Sequence, residues 1–229
     1  MATQEQTYFN ELADFLTTQL QGEEIFTSSL SGEESDFVRL NKGKIRQPGN
    51  VKQYSLSVDL ISGQKHSGGA LCLCGDASVD RARLKTLVSG LRDRLPHLPE
   101  DPHLLFAEEI NNSITERPCT LPNAKDAVGD ILELGAGTDM VGIYAQGLLQ
   151  RGFANSLGQR NWFSSSNYNF DWSLYSHGDK AVKCSSAGLE WDKAGLAKKF
   201  ANAKEQLPII AKQAKTIEPG KYRVYLSPA

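Results

Sequence analysis

Residues 4–21 place Phe9, Leu12, Phe15, Leu16 and Leu20 at helical spacing, and Thr3 with Gln6 has the form of a capping box, so an amphipathic helix is expected to open the chain. From residue 25 to 75 the period changes to two. Val38 and Leu40 share one face of a strand, and Tyr54, Leu56, Val58 and Leu60 share one face of another. Asn41-Lys42-Gly43 supplies a turn with glycine where positive φ is needed, and Ser62-Gly63 followed by Gly68-Gly69 punctuates the next reversal. An antiparallel meander follows. Helical spacing returns over 77–94 in Val79, Leu84, Val88 and Leu91, closed by Pro96, Pro99 and Pro102.

Between 96 and 126 the prolines, the Asn111-Asn112 pair and the mixed polarity predict a long connection. Residues 140–187 read as several strands in which aromatic and small polar residues alternate. A helix over 192–214 carries Leu196, Phe200, Ala203 and Leu207, with a break or kink expected at Pro208. Lys221 to Leu226 alternates like a further strand. The fold class expected is α+β: a helix-packed antiparallel meander, then a second mainly antiparallel sheet region with one long helix. A soft boundary near residue 128 divides it into 1–128 and 129–229.

The 229 residues carry 25 Lys+Arg against 27 Asp+Glu, a net charge of −2, with no basic run. Affinity built on phosphate contacts needs a basic excess, so direct nucleic-acid binding is disfavoured. The longest apolar run is Ala70-Leu71-Cys72-Leu73-Cys74, too short to span a bilayer, and MATQEQTYFNELADF lacks the features of a secretory signal. A cytoplasmic location without membrane contact is the expectation. Four cysteines in a chain this long are expected to be reduced thiols.

Candidate chemistry is sparse. His66, His97, His103 and His177 include no pair one helical turn apart and none is followed by Glu, so no zincin helix is present. His97 and His103 are expected at the surface. Cys72-x-Cys74 places two thiols on one strand face, which reads more simply as small buried residues than as a chelate. Cys184 with His177 suggests a thiol dyad only if the fold brings them together. Gly135-Ala-Gly137-Thr-Asp lacks the Lys of a phosphate loop and reads as a helix C-cap or turn. Trp162, Phe163, Tyr168, Phe170, Trp172 and Tyr175 lack interleaved cations, so a packed sheet face flanking a groove for an extended peptide is favoured over a base-stacking platform.

Two stretches resemble the TldD/PmbA family, also described as modulators of DNA gyrase or as zinc-dependent peptidase subunits. The first is Asp36-Phe-Val-Arg-Leu-Asn-Lys-Gly-Lys-Ile-Arg-Gln47. The second runs from Asp139-Met-Val-Gly-Ile-Tyr-Ala-Gln-Gly through Arg151-Gly-Phe-Ala-Asn-Ser-Leu-Gly158 and Phe170-Asp-Trp-Ser-Leu-Tyr175 to Asp179-Lys-Ala-Val-Lys183 and Ala187-Gly-Leu-Glu-Trp-Asp192. The resemblance implies a cytoplasmic, dimeric protein, homo- or heterodimeric, whose metallopeptidase chemistry resides on a His-Glu-x-x-x-His helix and a distant Cys in one subunit type. No position here matches those metal residues, so the chain resembles the N-terminal half of such a protein. It is expected to be inert alone, with zinc a cofactor only of the full-length protein or its partner subunit. The function implied is a scaffold shaping a cavity for proteolysis of unfolded or small peptides. Arg151, Asn155, Ser156 and Trp162 are the groove candidates. The ordinary reading of the same residues is a turn over 155–158 and a core tryptophan. The alternative function is a non-enzymatic binding or regulatory module, such as a modulator of DNA gyrase.

Overall fold

The computed structural model describes residues 3–226. Helix α1 (Gln4–Thr17) opens on Thr3, whose hydroxyl accepts the Gln6 N–H at 3.2 Å. Only this half of the capping box forms, since the Gln6 side chain is buried and its Oε1 has no partner. Phe9, Leu12, Ala13 and Leu16 face the core, and Leu20 lies beyond the helix end. Strands β1 (Ile25–Asn41) and β2 (Lys44–Ser62) form one long hairpin. Its two-residue turn has Lys42 at φ 52° and Gly43 at φ 67°, the paired left-handed conformation that matches strand twist. Strand β3 (Lys65–Cys72) follows a second tight turn at Gly63 (φ 58°). Gly68 and Gly69 lie within β3 rather than in the reversal, with Gly69 backed closely by Leu87.

Helix α2 (Ala77–Arg94) is capped by Asp76, which accepts the Ser78 and Val79 N–H groups; Leu84, Val88 and Leu91 are buried and Val79 is exposed. The proline-rich connection holds a single 3₁₀ turn (Leu95–His97) and then strand β4 (Ser113–Arg117), all five residues of which are exposed. Helix α3 (Ala124–Leu134) includes Val128 and ends on Gly135, with Gly137 at φ 73° in the turn behind it. Strands β5 (Asp139–Asn155), β6 (Arg160–His177) and β7 (Lys180–Gly188) lead into α4 (Lys193–Ile210). Pro208 lies in the last turn of α4, where the helix continues only two residues more. The strand expected at Lys221–Leu226 does not form. Its alternating side chains are exposed and no neighbouring strand supplies backbone partners, so the pattern has nothing to bury against.

All seven strands belong to one sheet of order β3-β2-β1-β5-β6-β4, with β7 also on β6; every pairing is antiparallel except β4 with β6. The fold is α+β. The two strand groups on either side of residue 128 are joined directly through β1 and β5, which pair from Thr27↔Asn155 to Leu40↔Gly142. In β1, β2, β5, β6 and β7 the buried apolar residues are even-numbered apart from Ile61, and even positions pair with even ones across the sheet up to the register shifts at Arg39/Leu40 and Tyr175/His177. All four helices therefore lie on one face.

Two cores form along that face. One packs α1 and α2 on Phe26, Leu30, Leu56, Val58 and Trp162. The other packs α3 and α4 on Met140, Tyr144, Phe170 and Trp172, where Trp172 stacks between Phe170 and Phe200 at 4.4 and 5.0 Å. Arg92 joins α2 to the start of β1 through a bidentate pair with Glu24 (2.6 and 2.8 Å) and a bond to the Gln19 carbonyl. Between the cores Gly147 of β5 approaches β1 so closely that a Cβ would overlap the Glu34 carbonyl. The opposite face is bare, with Val141 and Ile143 exposed and Phe37, Leu149, Phe153 and Phe163 half-buried.

Candidate functional site

Two hollows flank the first turns of α1. The larger, about 740 Å³, lies between α1, the β1–β2 hairpin and the loop into α2, with Tyr8, Tyr54, Leu30, Leu73, Cys74 and Lys52 in its wall. Asp80 anchors its floor. Its fully buried carboxylate accepts the Tyr8 hydroxyl (2.8 Å), the Cys74 and Gly75 N–H groups (3.1 and 3.0 Å) and the Cys74 thiol (3.3 Å). Burial works against its charge, but these donors together hold it below the usual carboxylate range. Burial, followed by the Asp80 carboxylate, pushes the Tyr8 phenol well up. Tyr54 is raised in the same way, by burial and by its 2.7 Å bond to Glu34. Neither phenol is prepared to act as a base at neutral pH, and Asp80 is fully engaged, so this wall is structural.

The smaller hollow, about 430 Å³, lies between α1 and the paired strands β4 and β6. Trp162 sits at the base of β6, opposite Ile114 of β4, with its ring 6.3 Å from that of Phe9. Gln6 and Trp162 are 6% and 2% exposed, and Gln6 Oε1 and Trp162 Nε1 both lack a hydrogen-bond partner among the described residues. A buried polar atom left unpaired costs about 1–3 kcal/mol, and both atoms lie behind the surface of the hollow rather than facing into it. The charge nearby is already spoken for. Arg160 donates to Asp14 (2.8 Å) and to the Asn155 and Gln159 carbonyls.

The groove candidates from the sequence take separate roles. Arg151 is exposed and donates to its neighbour's carbonyl at Gln150, on the face away from the helices. Asn155 is buried; its Oδ1 accepts the Leu157 and Gln159 N–H groups and its amide donates to the Ala107 carbonyl. Ser156 accepts the Phe26 N–H at 3.2 Å. These two therefore shape the β5–β6 turn and its contact with the long connection. Trp162 alone reaches a hollow. Gln6 and strand β4 were missed. A glutamine at the third helical position reads as a capping residue, and five exposed residues leave no burial period to find.

Other candidates are not assembled. His177 pairs with Lys180 while Cys184 pairs with Trp172 further along β7, and burial pushes the Cys184 thiol up. Cys72 and Cys74 are exposed rather than buried, because β3 is an edge strand that ends there. His97 and His103 are exposed. Among the described residues no three His, Cys, Asp or Glu side chains group as a metal site, so the residues present do not fit a zinc centre. No described helix is long and apolar enough to cross a membrane.

A seven-stranded sheet, antiparallel except where β4 meets β6, with its helices on one face and a hollow beside an edge strand, defines an α+β domain. Solved structures share this fold. TldE from Thermococcus kodakarensis superposes with TM-score 0.58 at 10% identity, over 88% of this chain and 47% of its own. A candidate modulator of a DNA gyrase from Thermotoga maritima gives 0.58 at 8% identity, over 87% and 47%. Another, from Bacteroides thetaiotaomicron, gives 0.56 at 17% identity, over 91% and 50%. The chain thus spans about half the length of the structures it matches. No protein-family model and no curated protein sequence matches it.

Proposed function

We propose that this chain is the peptide-holding, non-hydrolytic part of a TldD/TldE-type peptidase assembly, and that it receives an extended peptide as an added strand. The observation that carries the reading is the state of the sheet edges. On β3, Arg94 and Arg83 occupy the Gly68 and Cys72 carbonyls, and on β7 Lys199 occupies that of Ser185. Such guards keep edges from pairing. Strand β4 pairs only with β6, and all five of its residues are exposed. A peptide can therefore add there through main-chain hydrogen bonds. The fold shared with TldE supports the assembly named; on this reading the hydrolytic centre belongs to another part of that assembly.

Binding of short, unstructured, fluorescein-labelled peptides to the full chain, followed by anisotropy, tests the proposal. Consecutive residues of a strand direct their N–H groups to opposite sides, so Ile114→Pro and Thr115→Pro form an internal pair. One variant is expected to keep its melting temperature and lose binding, whereas the other destabilises the β4–β6 pairing. Wild-type binding by both variants, or cleavage of the peptide by this chain alone, overturns the proposal.

A further inference from the structure

We infer that the bare face of the sheet binds a second copy of this chain, the two sheets stacking with β5 antiparallel to β5 about a two-fold axis beside Ala145. On this face the odd-numbered residues of β1, β5 and β6 point outward, since the even-numbered ones carry the helices. Along β5 they read Asp139, Val141, Ile143, Ala145, Gly147, Leu149 and Arg151, an apolar stripe with an anion at one end and a cation at the other. Both charged residues are exposed, and among the described residues neither forms an ion pair; Arg151 donates only to the Gln150 carbonyl. Rotation about Ala145 brings Asp139 of each copy opposite Arg151 of the other. It also sets Val141 opposite Leu149, and Ile143 opposite Gly147, which offers no side chain. The other two-fold stacking, with the strands parallel, sets Asp139 on Asp139 and Arg151 on Arg151, so charge selects the antiparallel one.

The neighbouring strands follow through their registers. Phe37 and Asn169, which pair with Ala145, meet their own copies, and Phe163 beside Arg151 meets Tyr175 beside Asp139. Arg39 falls diagonally across from Glu33, and Asp171, which already accepts from Asn169, comes opposite the amide of Asn167. The long connection lies against this face at its Asn155 end, where the Asn155 amide donates to the Ala107 carbonyl. After the rotation that end passes beyond Asp139, the first residue of β5 in the other copy, so it does not obstruct the stacking. Area is sufficient as well. Five strands, β2, β1, β5, β6 and β7, spaced about 4.8 Å and followed over the length of the stripe at about 3.3 Å per residue, give a face of about 900–1,000 Å². A standard stable interface needs about 800 Å² from each partner.

Sedimentation velocity of the full chain is expected to show a dimer at micromolar concentration. Asp139→Arg and Arg151→Asp each place two like-charge contacts in the interface and should weaken dimerisation about tenfold. The double variant restores opposite charges and should return to within about threefold of wild type, which a merely structural effect of either change would not do. Both side chains are exposed, so the variants keep the fold. Position 145 is checked directly by Ala145→Cys in a chain also carrying Cys72→Ser, Cys74→Ser and Cys119→Ser. A short bis-maleimide should join that residue to its mate across the axis. Val141→Cys in the same background lies about 26 Å from its mate, at 3.3 Å per residue, and should not be joined. A chain that is monomeric at millimolar concentration, a dimer indifferent to both charge reversals, a double variant no better than the singles, or joining at 141 but not at 145 overturns the inference. Strand β4 lies outside the stacked strands, so failure here and failure of peptide capture at β4 are read separately.

Discussion

Asp80 is the residue on which the α1–α2 side of the molecule turns, and Asp80→Asn tests that account while barely changing volume. If Oδ2 becomes the amide nitrogen, Tyr8 and Gly75 lose their acceptor and face a donor instead; if Oδ1 does, the Cys74 thiol and Arg83 do, and in either case the Cys74 N–H keeps one oxygen. At about 1–3 kcal/mol for each unsatisfied group, with some relief from water because Cys74 and Gly75 lie near the surface, the cost is about 3 kcal/mol at pH 7. For a chain of this size that is a fall of roughly 6–12 °C in Tm. The pH dependence is a sharper check. The folded carboxyl titrates below its ordinary value, so the unfolded state binds more protons at low pH. Asp80 therefore contributes its full stability above the ordinary carboxylate range and loses it as the pH falls toward the lowered folded value. Urea unfolding from pH 7 to pH 3 is expected to show the gap between wild type and Asp80→Asn closing as the pH falls. A gap of less than about 1 kcal/mol at pH 7, or one that stays constant across the range, refutes the reasoning.

Arg92→Ala leaves Glu24, whose side chain is 9% exposed, without its bidentate partner and should cost about 3 kcal/mol in urea unfolding; adding Glu24→Leu should recover part of that loss. Gly147→Ala drives a Cβ into the β1 backbone and should cost more than about 2 kcal/mol. Gly129→Ala, mid-helix in α3 with open space around it, should instead raise stability by about 0.5–1 kcal/mol, so thermal unfolding of the two variants shifts in opposite directions.

The parts of this fold that were legible in the sequence are those where one side of an element is dry. Leu84, Val88 and Leu91 mark α2 because only that stripe is buried, and Val38 with Leu40 marks β1 for the same reason. The left-handed pair Lys42–Gly43 was legible because a two-residue hairpin leaves the chain little choice. The length of β1 was not. Ser29, Ser31 and Glu33 face the bare side, so the middle of a 17-residue strand looks like a polar loop. Strand β4 was invisible because nothing on it is buried. Lys221–Leu226 failed in the opposite way, with a strand-like alternation and no partner. Of the groove candidates that the family resemblance implied, Trp162 lines the smaller hollow, whereas Gln6 reads from the sequence only as a capping residue.

The shared even parity of β1, β5 and β6 has a consequence for how this chain can vary. Each strand serves both cores with the same set of alternate residues, Phe26 and Leu30 at one end of β1 and Val38 and Leu40 at the other. Removal or insertion of one residue between them inverts one end relative to the other and turns one of the two apolar sets out to water. The interior of these strands therefore tolerates substitution far better than a change of length. A one-residue insertion survives there only if it is taken up as a bulge, of the kind β1 and β2 already carry at Arg39/Leu40.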